Sequence, residues 1–254
     1  MFCRIASLLN VSEQGARLPC GADALCFEVK RNNVSAAFYV SIEFQETGYL
    51  IERLYKTAYG DFNGSSILGG THQLPVPIVR LSEFLPDTQQ IGNGVIVNQG
   101  NWEQQLEDNK QAFVLEFISR ERFTNAYPTT LSAADFVRQL NVNAGGVLTE
   151  AEIMQLEDAF GGPNAPSTDV VKRAEVLRSI ADNQTLQQRE FNRAFVLMQY
   201  FGYLRRNPDD APDTDYTGYD YWLRKLDQHG GDYVNAEMVK AFVWSSEYGQ
   251  RFGQ

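Results

Sequence analysis

Apolar residues return at helical spacing along most of this chain. They fall at Val34, Ala37, Phe38 and Ile42, then at Tyr49, Ile51, Leu54, Tyr55 and Ala58. Steps of three and four predict helices with one face buried. Start signals recur further on. Asn101 precedes "WEQQLEDNKQAFVLEF" with Gln104 three residues later, Thr149 is followed by Glu152, and Thr185 by Gln188. Each resembles a capping box, which satisfies free amide donors in the first helical turn. Ser132 and Asn235 are further predicted caps. The segment "AFVLMQYFGYL", Ala194 to Leu204, has one clearly polar residue and predicts a buried central helix with Met198 as core filling.

The stretch from about 59 to 100 breaks the pattern. Its Gly, Asn and Pro residues separate only short β-branched runs, which predicts an irregular connection holding one small hairpin and a short helix around "LSEFLPDTQQ". It is also the expected domain boundary, between a unit at 1–58 and a helical domain at 101–254.

Some of the helical phrases repeat. "AFVWSSEYGQRF" from Ala241 echoes "AFVLEFISRERF" from Ala112 and "AFYVSIEF" from Ala37. "RAEVLRSIADNQTL" from Arg173 aligns with "NAEMVKAFVWSSEY" from Asn235, and "DFVRQL" from Asp135 with "AFVLMQYFGYL" from Ala194. Two three-helix units at about 131–186 and 191–252 follow, with Phe113, Phe195 and Phe242 expected inside. Repetition at this period marks helical units that bury their faces against neighbours.

"CGADALCFEVKRNNVSAAFYVSIEFQETGYL", "FNRAFVLMQYFGYLRRNP" and "GYDYWLRKLDQHGGDYVNAEMVKAFVWSSEYGQRFG" resemble the bacterial repeat catalogued as domain of unknown function 4214. The shared pattern is a helix, a Pro-Asp loop (Pro208-Asp209), a Tyr-Trp pair (Tyr221-Trp222), and a helix ending in Ser-Ser-Glu-Tyr (Ser245 to Tyr248). The resemblance implies an all-α array of repeated units in a secreted or cell-surface protein, and it carries no catalytic residues. Residues 1–19 do not match the pattern, so the first unit reads as truncated. A truncated unit predicts an uncovered face on the helix at 34–44, and self-association through it.

Charge narrows the partners. Thirty-two Asp and Glu against 22 Lys and Arg give a net charge of -10, which opposes nucleic-acid binding. His72 and His229 are the only histidines, so a three-histidine zinc site is excluded. His229, before Gly230-Gly231, reads as a helix C-cap. Cys20 and Cys26 predict either a local disulfide, the preferred reading, or two buried thiols, with Cys3 left over. No run is apolar enough for a membrane span, and the N-terminus does not resemble a signal peptide.

Candidate chemistry concentrates in "RRNPDDAPDTDYTGYDYW". Asp209, Asp210, Asp213 and Asp215 could hold calcium, although Pro208 and Pro212 break the EF-hand spacing. The preferred reading is that these acids cap helices and shape a turn. Tyr216, Tyr219, Tyr221 and Trp222 could hold a sugar beside a carboxylate pair such as Asp209 and Asp220. The plainer alternative makes Tyr221 and Trp222 core anchors. His72 could act as a base for Ser65 or Ser66, but a solvated loop histidine is preferred. The expectation is therefore a non-catalytic extracellular module for protein or cell-surface association. A hydrolase, glycosidase before esterase, and a calcium-binding surface module are the alternatives.

Overall fold

Steps of three and four between Tyr49 and Ala58 become α1, Ile42–Tyr59, around which the fold is organised. The computed structural model describes residues 42–252 together with Cys26 and Lys30. The expected helix start at Val34 lies outside the described residues, as do Cys3, Cys20 and the leader at 1–19. Cys26 is disulfide-bonded.

After α1 comes a hairpin, β1 (Asp61–Ser66) and β2 (His72–Pro77), paired antiparallel from Asp61↔Pro77 to Ser66↔His72. Positive φ at Gly69 and Gly70 makes its turn. Then follow α2 (Leu81–Ile91), α3 (Trp102–Phe117), α4 (Glu121–Ala126), α5 (Ala133–Asn143), α6 (Glu150–Asp158) and α7 (Val170–Ala181). The chain continues through α8 (Gln184–Gln199) into a π-helical turn at Tyr200–Leu204, which ends on Arg205 in the left-handed conformation. Helices α9 (Thr217–Gln228), α10 (Met238–Val243) and α11 (Ser246–Phe252) complete the described chain.

The fold is mostly helical, with one small sheet. Helices α2, α5, α7 and α8 pack on α1, the hairpin lies against α8 and α9, and α2 also meets α3. The segment expected to be irregular thus contains the small hairpin and the short helix, and it packs on both flanking regions. One apolar cluster runs from Tyr49 to Val243. Phe113, Phe195 and Phe242 are buried in it, at 0%, 1% and 4% exposure. Residues 194–204 are largely buried, as their composition required, although α1 shares the centre with them.

Capping follows the sequence in part. Thr149 and Glu152 make a reciprocal box, and the Ser132 side chain accepts from the Asp135 amide. Asn101 makes no side-chain cap bond. Asn183, not Thr185, caps α8, because its carboxamide reaches the amides of Thr185 and Leu186. Asn235 bonds Asp232 instead, and α10 begins three residues later than its expected cap. His229 is the C-cap of α9, donating its amide to the last carbonyls. The segments expected as two units have different surroundings. Helix α7 has 12 residues and packs on α1, α3 and α5, whereas α10 has 6 and packs on the π-turn and α11.

Candidate functional site

The polar stretch after Arg205 forms a strap between the C-terminal helices and the start of α2. Arg80, just before α2, donates from Nη1 to Asp209 at 2.6 Å and to the Tyr216 hydroxyl at 3.1 Å, and from Nη2 to Asp210 at 3.1 Å. The Leu81 amide donates to Asn207 Oδ1 at 2.8 Å. Arg206 is buried and holds the other side. It donates to Asp213 at 2.7 Å, to both Glu247 oxygens at 2.8 and 3.0 Å, and to the carbonyls of Asn207, Pro208 and Asp210. Its guanidinium also lies 5.2 Å from the Tyr200 ring centroid. Asp215 accepts from the Thr217 amide at 2.9 Å, at the start of α9.

Each acid proposed as a calcium ligand is therefore engaged by an arginine or a backbone amide. Partial burial raises Asp210, but the Asn207 bonds and Arg80 outweigh it and hold the carboxyl below its ordinary range. Glu247 is raised by burial and lowered by more through Arg206, also ending low. Among the described residues, no group of three or more His, Cys, Asp or Glu side chains gathers as a metal centre requires.

A second cluster joins the hairpin to α9. Asp220, 4% exposed, accepts from Ser66 Oγ at 2.7 Å and from Arg224 Nε at 2.7 Å, with His72 Nε2 at 3.1 Å. His72 Nδ1 faces the Gly70 carbonyl at 2.8 Å, and Arg224 Nη2 stands 2.9 Å from His72 Nε2. A carbonyl only accepts, so Nδ1 carries a proton, while Nε2 stands between Arg224 Nη2 and Asp220 Oδ2. The cluster contains serine, histidine and aspartate, but not in triad order. Ser66 donates to the acid and not to the imidazole, and it is fully buried. No hydrogen bond links Ser66 to His72. Ser65 contributes its carbonyl, which accepts from the Tyr216 amide at 2.8 Å. What the cluster does is clamp the hairpin to α9. His72 is thus a half-buried clamp residue and not the solvated loop histidine expected from its Gly-rich context.

The four aromatic candidates separate. Tyr216 and Tyr219 are buried, and the Tyr219 hydroxyl donates to the Arg193 carbonyl at 3.1 Å. Tyr216 lies so close to β1 that a Cβ on Gly64 would fall 2.7 Å from its ring, so glycine is required there. Tyr221 is exposed, with its ring edge-on to Trp222. Trp222 is half-buried against Phe242, with Lys225 over its ring. Asp209 and Asp220 belong to different clusters and make no shared site.

Sequence reasoning missed Arg80 and Arg206, whose roles depend on partners brought together by the fold. It also missed Glu52 and Glu190, buried carboxyl groups where α1 meets α8. A signal existed: "YLIERLYK" places Glu52, Arg53 and Lys56 inside an apolar helical run. Elsewhere, a groove of about 390 Å³ runs between α3 and α7, with Leu115 and Val171 exposed along it and Glu107, Glu175 and Asp182 at its sides. No helix among the described residues is long and apolar enough to cross a membrane. Compared with family models, curated proteins and solved structures, the chain matches none.

Proposed function

We propose that this chain is a non-catalytic extracellular helical module, built of repeated three-helix units, that mediates protein–protein or cell-surface association. The observation that carries this reading is the engagement of its acids. Asp209, Asp210 and Asp213 pair with arginines, and Asp220 is closed in by Ser66, His72 and Arg224. A hydrolase needs a carboxylate free to meet substrate. The exposed apolar side chains of the α3–α7 groove supply a surface of the kind a binding module presents.

The repeat reading draws support from one coincidence of register. At the 62-residue offset suggested by the sequence, Asn183 aligns with Ser245. Asn183 caps α8 after the break that ends α7, and Ser245 Oγ accepts from the Tyr248 amide after the break that ends α10. The disulfide at Cys26 fits an oxidising compartment, in keeping with the resemblance to secreted and cell-surface repeats.

A panel of chromogenic glycosides and esters tests the proposal. The expected result is no turnover by the purified protein, with Asp209→Ala and Asp220→Ala changing its melting temperature only. Turnover abolished by either substitution would establish the hydrolase reading instead.

A further inference from the structure

Five ionisable side chains gather where α1, α8 and β1 meet, and their charges would not cancel if all were ionised. Glu52 and Lys56 come from α1, Glu190 and Arg193 from α8, and Asp61 from β1. Asp61 takes the strongest bonds of both cations, from Lys56 Nζ at 2.5 Å and Arg193 Nη2 at 2.7 Å. Glu190 receives one contact, from Arg193 Nη1 at 3.3 Å. Glu52 receives none. Both its oxygens are buried without a hydrogen-bond partner, as is Glu190 Oε2. Arg53 is directed elsewhere, donating to the Ala181 carbonyl at 2.7 Å and pairing with Asp182, which Arg178 also holds.

The other polar groups turned towards Glu52 do not supply the missing charge. Tyr49 carries a neutral hydroxyl, its proton held by burial, and Tyr219 on α9 donates its proton to the Arg193 carbonyl. Arg189, on α8, is exposed and donates to the Gly145 carbonyl. Glu52, Glu190 and Asp61 thus face Lys56 and Arg193, three acids against two bases. An unpaired charge in such a place costs several kcal/mol, and retaining one proton removes it.

We propose that Glu52 is a neutral carboxylic acid in the folded protein at neutral pH, and that its ionisation loosens the contact of α1 with α8, so the fold tightens as its surroundings acidify. Burial first, and then the Glu190 carboxylate, hold the Glu52 carboxyl well above its ordinary 4.5, against the opposing pull of Arg193, Arg53 and Lys56. Burial also raises Glu190, with Arg193 and Lys56 acting the other way. An acid raised on folding keeps its proton in the folded form after the unfolded chain has released it. Stability from this group is complete below 4.5 and declines as the pH climbs towards the elevated folded value.

Thermal melts from about pH 5 to about pH 9 test this. The wild-type melting temperature should fall steadily across the range. Glu52→Gln should remove most of that fall and melt above wild type at the alkaline end. Glu175→Gln, the same charge change at an exposed site on α7, should keep the wild-type slope. A wild-type melting temperature that is flat or rising would overturn the proposal. So would a Glu52→Gln slope equal to wild type, or loss of the slope in Glu190→Gln alone. If Glu52→Gln does not fold, infrared spectra of wild type labelled with carbon-13 glutamate decide the matter. A protonated-carboxyl band that shifts with the label at neutral pH is expected, and absence of that band overturns the assignment.

Discussion

The strap at 205–216 and the interface of α1 with α8 both gather carboxylates around arginines, but they use them in opposite ways. In the strap, two arginines face the acids across a partly solvated surface, and Asp210 and the Arg206 partner Glu247 are held below their ordinary range. At the interface, three acids crowd two bases in a closed space, and Glu52 is held above it. Ionised acids stabilise the strap, so its contribution disappears as pH falls through the lowered values of Asp210 and Glu247. The interface loses its contribution as pH rises above 4.5. The same residue types therefore make one region weaken in acid and the other in base. What separates them is whether water and enough counter-charges are present.

The strongest way to break this contrast is Arg206→Ala. Its guanidinium is 6% exposed and serves two acids and three carbonyls. Its two acids are only partly buried, but its removal leaves them and three carbonyls without a donor, a loss of about 3 kcal/mol. Urea unfolding should show that loss at neutral pH, and a loss under 1 kcal/mol would mean the strap is held by something else. Asp220→Ala should follow, at about 1–3 kcal/mol, because it strands Ser66, Arg224 and His72. Amide exchange in the hairpin at 61–77 should rise with it, and unchanged exchange would separate the clamp from the hairpin. Arg80→Ala should be smallest. Its side chain is 35% exposed, so about 1 kcal/mol is expected, reduced further by salt. Carbon-13 NMR of Asp210 should show its titration moving up towards the ordinary range. Unchanged titration would assign its lowering to the Asn207 bonds and Arg206.

Much of the fold was legible locally. Spacing placed α1, α5, α7 and α8, and the Gly- and Pro-rich stretch gave up its hairpin and short helix because turn residues and β-branched runs are local signals. Caps at Ser132 and Thr149 could be read because donor and acceptor are three residues apart. Thr185 failed as a cap because Asn183 offered a better oxygen two residues earlier. The candidate site was less legible. The strap was readable as a turn, since Asn, Asp and Pro shape their own neighbourhood, but Tyr216 and Tyr219 gave no sign of being buried. His72 looked solvated in "GGTHQ" because nothing nearby in sequence announces Asp220, 148 positions away in the numbering.

By itself, the sequence determined that this chain is mostly helical, that Phe113, Phe195 and Phe242 lie inside, and that the stretch after Arg205 is a turn. Each follows from interactions within about one helical turn, or from transfer of apolar surface out of water. Only the tertiary structure decided which arginine holds which acid, and that Glu52 would be left without one. Arg80 lies 129 residues from Asp209, and Ser66 lies 154 from Asp220. Bonds between such distant partners, and the degree to which water is excluded around them, exist only after the helices have packed.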